Sequence, residues 1–186
     1  LILKLYEPQE GSILIDGIDI SQIDPADLRK KISYVPQDIH LFRNTIKNNI
    51  LGSYKFVDDE WMIKCSKISG TDEFVKLHPV GYDMPIGERG AGLSGGQRQS
   101  VGIARALIND SKIYLFDEPT NAMDQTSESN VLNNLKENLE EKTLFLVTQK
   151  MNMLDLVTRV IVMNQGEKVL DGDKMEIIKK LGVNNG

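Results

Sequence analysis

With 186 residues, the chain is long enough for one hydrophobic core and fits a single domain with room for a subdomain. A net charge of −5 argues against a nucleic-acid-coating surface, which calls for a basic patch. The apolar runs are far too short to span a bilayer, no basic start and apolar core mark a signal peptide, and the single cysteine can close no internal disulfide, so the composition reads as a soluble domain and nothing in it contradicts a reducing cytoplasm.

The opening run Leu1-Ile2-Leu3-Lys4-Leu5-Tyr6-Glu7-Pro8 has no initiating methionine and no cap or turn before it, so it reads as the interior of a longer chain. By itself the alternation of Leu1, Leu3 and Leu5 suits a strand. Residues 12–15 and 18–20 are β-rich and flank Asp16-Gly17, a two-residue turn signal, which predicts an antiparallel hairpin. A polar helix begins near Pro25. Ile32-Ser33-Tyr34-Val35 then reads as a short strand stopped by Pro36, with Gln37 and Asp38 immediately beyond. Residues 41–77 show helical patterns with no β pattern among them: a short helix over 45–49, another over 58–69 with Trp61, Cys65 and Ile68 on one side, and a third from Thr71. Such stripes describe core rather than binding surface, and Cys65 reads as a buried structural thiol.

A glycine-punctuated loop, Gly81-Tyr82-Asp83-Met84-Pro85-Ile86-Gly87-Glu88-Arg89-Gly90, leads into Leu93-Ser94-Gly95-Gly96-Gln97-Arg98-Gln99. Adjacent glycines let the backbone approach a partner closely, and Ser94 suits a helix N-cap. Val101, Ala104, Leu107 and Ile108 follow at helical spacing, so the N–H groups of Ser94, Gly95 and Gly96 are predicted at the positive end of a helix, a place for phosphate. A lone S-G-G describes no more than a capped helix after a turn. Here, however, the apolar run Ile113-Tyr114-Leu115-Phe116 follows and ends in Asp117, Glu118 and the helix-breaking Pro119. Such a run is expected of a parallel strand buried on both faces, and ligands of open α/β sheets bind beyond the carboxyl ends of strands. A carboxylate there can hold Mg²⁺, and its neighbour can orient and deprotonate an attacking water. Beyond Asn121-Ala122-Met123-Asp124 come an amphipathic helix with Val131, Leu132, Leu135 and Leu139 at helical spacing, and a second buried strand over 143–148, followed by Gln149. Residues 160–163 and 168–170 flank Gln165-Gly166 as an edge hairpin, 175–181 read as a last helix, and 183–186 are expected to fray.

Taken in this order, the motifs resemble those of the ATP-binding cassette (ABC) ATPases: the LSGGQ signature, then a Walker B strand. The G-Y-D-x-P-x-G-E-R-G lead-in and the words over 151–162 are most similar to exporter-type cassettes, in particular the ATPases of type I secretion systems. The resemblance implies an α/β fold: a P-loop NTPase-like core with a mainly parallel sheet, an antiparallel β hairpin region and an inserted helical subdomain. It implies one partial nucleotide-binding domain over 1–186, with a β-rich part and Q-loop at 1–40, the helical subdomain at 41–92, and the signature helix, Walker B strand, D-loop, switch region and C-terminal part at 93–186. It also turns 1–5 from a strand into the end of the helix after the P-loop, leading into the E-P-x-x-G turn at Glu7-Pro8-Gln9-Glu10-Gly11.

The residue roles that the resemblance implies are these. Asp117 is the magnesium residue and Glu118 the catalytic base. Gln37 of the Q-loop reaches the magnesium and the attacking water. Leu93, Ser94, Gly95, Gly96 and Gln97 close over ATP held by a second cassette, and Asp124 lines the seam between the two. The family normally has a histidine contacting the γ-phosphate where this chain has Gln149. Glutamine can donate a hydrogen bond there but cannot become positive, which puts hydrolysis in question although Glu118 is intact. His40 and His78 lie elsewhere, and adjacent Lys150 is not counted as a substitute because its side chain need not point inward.

No G-x-x-x-x-G-K-[ST] occurs in these residues. That motif supplies backbone N–H groups and a lysine to the β- and γ-phosphates. Charge-assisted bonds contribute roughly 1.5–3 kcal/mol each, so lacking three weakens ATP binding at least about a thousandfold. Loss of the P-loop strand and helix is also expected to leave apolar surface uncovered. The leading reading is an ATP-binding and ATP-hydrolysing domain that uses ATP and Mg²⁺ to power an ABC exporter of the type I secretion kind. Its partners are a second nucleotide-binding domain, identical or not, and the exporter's transmembrane domain, with no nucleic acid, at the cytoplasmic face of the membrane. Two rivals stand beside it: a degenerate cassette that only donates its signature to a partner site, and a soluble DNA-maintenance ABC ATPase, which predicts a coiled-coil insertion or a basic face that the chain lacks.

Overall fold

The computed structural model describes residues 1–54 and 56–182, so the fraying expected over 183–186 falls outside the described residues. Residues 1–6 form neither a helix nor a strand. Lys4 N–H closes a turn on Leu1 O at 2.8 Å, and Lys4 lies at φ 49°. A helix needs a costly nucleus before it propagates, and this stretch does not supply one. It is held by Ile2 and Leu3, which pack on the small cluster of Ile20, Leu28 and Ile32, by Lys4 Nζ donating to Ile23 O at 2.8 Å, and by Arg29 donating to Leu3 O and Lys4 O at 2.8 Å each.

The first hairpin forms as expected but is short. Strands β1 (Leu14–Ile15) and β2 (Ile18–Asp19) pair antiparallel about Asp16 and Gly17, both left-handed at φ 50° and 79° as a tight turn of the primed type requires. Helix α1 (Pro25–Lys30) starts where Asp24 caps the N–H groups of Ala26 and Asp27, with proline in its first turn, and strand β3 (Ile32–Val35) follows.

A short strand, β4 (Asn44–Thr45), precedes helices α2 (Ile46–Leu51), α3 (Asp59–Ile68) and α4 (Thr71–Val75), and it pairs antiparallel with β5 (Pro85–Ile86). This bridge corrects the expectation of a purely helical 41–77. Two residues are too few for alternation to show in sequence, and the pairing is made by a partner some forty residues away. Cys65 is fully buried on α3, and burial pushes its thiol up to about 12, so it is inert packing.

The remaining elements are α5 (Gly95–Leu107), β6 (Ile113–Asp117), α6 (Gln125–Leu139), β7 (Thr143–Val147), β8 (Arg159–Asn164), β9 (Glu167–Asp173) and α7 (Lys174–Lys180). Strands β8 and β9 pair antiparallel across Gln165 and Gly166, both at positive φ. The central sheet runs β3-β6-β7, all parallel, with Val35 opposite Phe116 and Phe116 opposite Leu146. Three strands therefore end at one edge. Helix α5 buries Val101, Ile103, Ala104 and Leu107 and packs on α2, α3, α4 and β3, while α6 lays Val131, Leu132, Leu135 and Leu139 inward.

Burial is uneven across the sheet. On β6, Tyr114 and Phe116 are each 1% exposed on one face, and Ile113 and Leu115 pack on the small cluster on the other. β7 departs from the expectation of a strand buried on both faces. Leu144 and Leu146 reach the main core, but Phe145 is 48% and Val147 62% exposed. β6 has a strand on each side, whereas β7 is the outer strand of the three. The uncovered apolar surface expected from the sequence is thus present along β7, and it recurs at Ile161, Met163 and Val169 of the last hairpin. Among the described residues, no helix is long and apolar enough to cross a membrane.

Candidate functional site at the strand ends

The N-terminus of α5 is set by its own side chains. Ser94 Oγ accepts the Gln97 N–H at 3.1 Å and Gln97 Oε1 accepts the Ser94 N–H at 2.9 Å, a capping box. This corrects the expected trio of open donors: the Ser94 N–H is taken by Gln97, leaving those of Gly95 and Gly96. The two glycines also serve a neighbour within the chain. A Cβ on Gly95 would lie 2.8 Å from Ala122 Cβ, and one on Gly96 3.0 Å from Ala122 O, so only glycines let the turn after β6 cross here. Leu93 is buried, and Arg98 donates to its carbonyl at 2.7 Å.

Gln99, to which the sequence reading assigned no role, fastens that crossing. Its Nε2 donates to Glu118 O at 3.3 Å and its Oε1 accepts the Ala122 N–H at 2.7 Å. Cavities flank the helix start on two sides. One of about 300 Å³ is lined by Gln37, Arg89, Gly95, Arg98 and Gln99, and another of about 330 Å³ by Ser94, Gly96, Gln97, Met123 and Asp124. Gln37, exposed just past β3, and Asp124 thus approach the same helix end from opposite sides. Asp124 is also the N-cap of α6. It accepts the N–H groups of Ser127 and Thr126 at 3.0 and 3.1 Å and the Ser127 hydroxyl at 2.7 Å, and these donors, Ser127's first, hold its carboxyl below the usual range.

The parallel register brings the chemistry together. Asp117 ends β6 opposite Val147, so Glu118 and Thr148 are the next residues out, and Gln37 lies beyond the end of β3 on the other side. Glu118 takes a left-handed φ of 45°, a conformation that costs a non-glycine residue about 1–3 kcal/mol and persists only when its surroundings enforce it. Its N–H is held on Val147 O at 2.9 Å. Only 7% exposed, its carboxylate faces the end of β7, where Oε1 accepts the Gln149 N–H at 3.0 Å and Oε2 accepts the Thr148 hydroxyl at 3.4 Å. Gln149 therefore meets Glu118 through its backbone, while its residue as a whole stays exposed.

Lys150 does point inward, but toward a carboxylate rather than toward the strand-end opening. Its Nζ lies 2.6 Å from Glu128 Oε1 and 3.0 Å from Thr120 O. Glu128, buried on α6, also accepts from the Thr120 hydroxyl and from Asn152 Nδ2 at 3.1 Å. Burial alone would raise the Glu128 carboxyl, yet the donors from Lys150, Thr120 and Asn152 and the charge of Lys150 outweigh it and hold the group below its ordinary value. The sequence carried one sign of this. Glu128 stands three and four residues before Val131 and Leu132, a charged residue on an apolar stripe.

Comparisons with known proteins agree with the geometry. A model of the ABC transporter family matches residues 1–121. The leukotoxin export ATP-binding protein LtxB of Aggregatibacter actinomycetemcomitans is 37% identical over 179 residues, covering 96% of this chain and 25% of that protein. The leukotoxin translocation ATP-binding protein LktB of a Pasteurella haemolytica-like species (strain 5943B) is 39% identical over 186 residues, covering all of this chain and 26% of that protein. The chain thus spans about a quarter of the length of these relatives. A bacterial Atm1-family ABC exporter, solved with ATP bound, superposes with a TM-score of 0.91 at 32% identity over 96% of this chain and 32% of its own. The sheet, the signature helix and these likenesses lead to one statement: the chain belongs to the ABC transporter family.

Proposed function

We propose that these residues form the signature, Walker B and switch part of a nucleotide-binding domain that hydrolyses MgATP to power an exporter of the type I secretion kind. The carrying observation is the convergence at the sheet edge, where Gln37, Asp117, Glu118 and Gln149 leave three adjacent parallel strands and Glu118 is already fixed by the Gln149 N–H at 3.0 Å. Relatives named for leukotoxin export support the transport reading over a DNA-maintenance one.

ABC transporters use ATP with magnesium. Among the described residues no cluster of three or more histidine, cysteine, aspartate or glutamate side chains can hold a metal by itself. That fits Mg²⁺, which takes one or two protein oxygens and fills its other positions with phosphate oxygens and water. Asp117 and Gln37 are the oxygen donors that would hold it, and the ion would neutralise charge on the phosphates. Glu118 orients a water and takes its proton as the water oxygen bonds to the γ-phosphorus and the bond to the ADP oxygen breaks. Gln149 donates to the γ-phosphate. The open N–H groups of Gly95 and Gly96, with Ser94 and Gln97, face nucleotide bound by a second cassette, Leu93 anchors their turn in the core, and Asp124 lies at the seam between the two. The β- and γ-phosphates still need a P-loop, a motif that these 186 residues do not contain. The second cassette, a transmembrane domain and the cytoplasmic face of a membrane complete the assembly.

The test is steady-state ATP turnover of the full gene product. Glu118→Gln should lower kcat by about 10²–10⁴-fold, the range for losing a general base, and unchanged turnover would refute the assignment. Gln149→His should raise kcat by restoring a donor able to carry positive charge. No rise would mean that the glutamine is already compensated.

A further inference from the structure

On the apolar stripe of α6, Glu128 pairs with Lys150 from beyond β7, an ion pair that none of the roles above uses. Glu128 is 6% exposed, and its Oε1 lies 2.6 Å from Lys150 Nζ. A buried pair is weak support for stability, since apolar residues of similar volume often serve as well, so its worth must be sought in what it holds in place. It holds three segments. Through Thr120 it takes the turn that leaves Glu118, through Lys150 the residue after Gln149, and through Asn152 the short 3₁₀ helix over Met151–Leu156. Lys150 Nζ also donates to Thr120 O at 3.0 Å, so the two strand-end turns are tied directly.

The tie runs back to the carboxylate in two steps. Lys150 N–H donates to Thr148 Oγ1 at 3.0 Å, and that hydroxyl reaches Glu118 Oε2 at 3.4 Å. Between them the Gln149 N–H sits on Glu118 Oε1 at 3.0 Å. The hydroxyls of Thr120 and Thr148 meet the same buried Met153 Sδ, at 3.4 and 3.3 Å.

We propose that Glu128 and Lys150 are positioning residues for the hydrolytic step: a brace, touching neither nucleotide nor water, that sets the Gln149 N–H and the Thr148 hydroxyl against Glu118. This rests on Glu118 being the base. Without the brace the 148–150 turn is free to shift, the carboxylate loses its fixed orientation, and the proton transfer slows while ATP binding is unaffected.

The experiment compares kcat, KM for ATP and the thermal midpoint in the full gene product, with hydrogen exchange at the Gln149 amide. The pair Glu128→Met with Lys150→Met replaces both charges by apolar groups of similar volume, so folding should survive. It should cut kcat about 10- to 100-fold, the scale of an ångström misplacement, with KM unchanged, the midpoint retained and Gln149 exchange faster. Lys150→Arg should restore most of kcat. Should the double variant fold poorly, Glu128→Gln, which keeps the shape and drops the charge, must show the same kcat loss at unchanged KM. Wild-type kcat in the double variant, or losses that only track the thermal midpoint, would overturn the brace. Glu118→Gln in the same series separates the two ideas. If it is inactive while the double variant is normal, only the brace fails; if it is fully active, the reading of the site fails first.

Discussion

Strands β6 and β7 lie side by side and deliver residues to one place, yet they are held in different ways. β6 has a strand on each side and apolar packing on both faces, with Tyr114 and Phe116 edge to face at 5.9 Å. Asp117 is therefore carried by a rigid, packed element, and Glu118 follows it with its N–H held on Val147 O at 2.9 Å. β7 packs on one face only, and its end is fixed by hydrogen bonds: Gln149 and Thr148 to Glu118, Lys150 to Thr120 and Glu128. One half of the site is positioned by the core and the other by a polar network. The first is costly to break and tolerant of pH, whereas the second is cheap to break and sensitive to it.

The largest effect on stability should come from the packed strand. Phe116→Ala leaves a cavity among fully buried neighbours and should cost about 3–5 kcal/mol in equilibrium unfolding. Phe145→Ala, the same deletion on the half-exposed neighbour, should cost about 1 kcal/mol or less, and equal costs would erase the distinction between the strands. Between them falls Ser94→Ala. It removes half of the capping box at the helix start on which the loop after β6 leans through Gln99 and the two glycines, and should cost about 1 kcal/mol.

The smallest effect is the one that marks β7 as electrostatically held. The folded Glu128 carboxyl lies below its unfolded value, so its contribution is complete above the ordinary carboxylate range and fades as the pH falls through the folded value. Wild type should therefore lose more stability than Glu128→Gln between roughly pH 5 and pH 3. Identical slopes would show that the brace is not ionic.

The same division explains what could be read from the chain alone. The signature helix was legible because Ser94 suits its cap and apolar residues follow at helical spacing, and β6 because an apolar run stops at Asp117, Glu118 and a proline. Locally encoded turns at Asp16-Gly17 and Gln165-Gly166 also fell where expected. What escaped depends on distant partners. The β4–β5 bridge has only two residues on each side, and Lys150 turns inward because Glu128 waits there. Gln99 resembles any polar residue of a helix until its two bonds are seen, and Glu128 alone left a sequence trace, as the charge on an apolar stripe.

The most direct test of the account is nucleotide trapping. In the full gene product, Glu118→Gln incubated with ATP and magnesium should hold uncleaved ATP in a stable pair of cassettes, while wild type should release ADP and separate. A variant that forms no ATP-dependent pair, or that cleaves ATP as fast as wild type, would contradict the assignment of the strand-end carboxylate as the base.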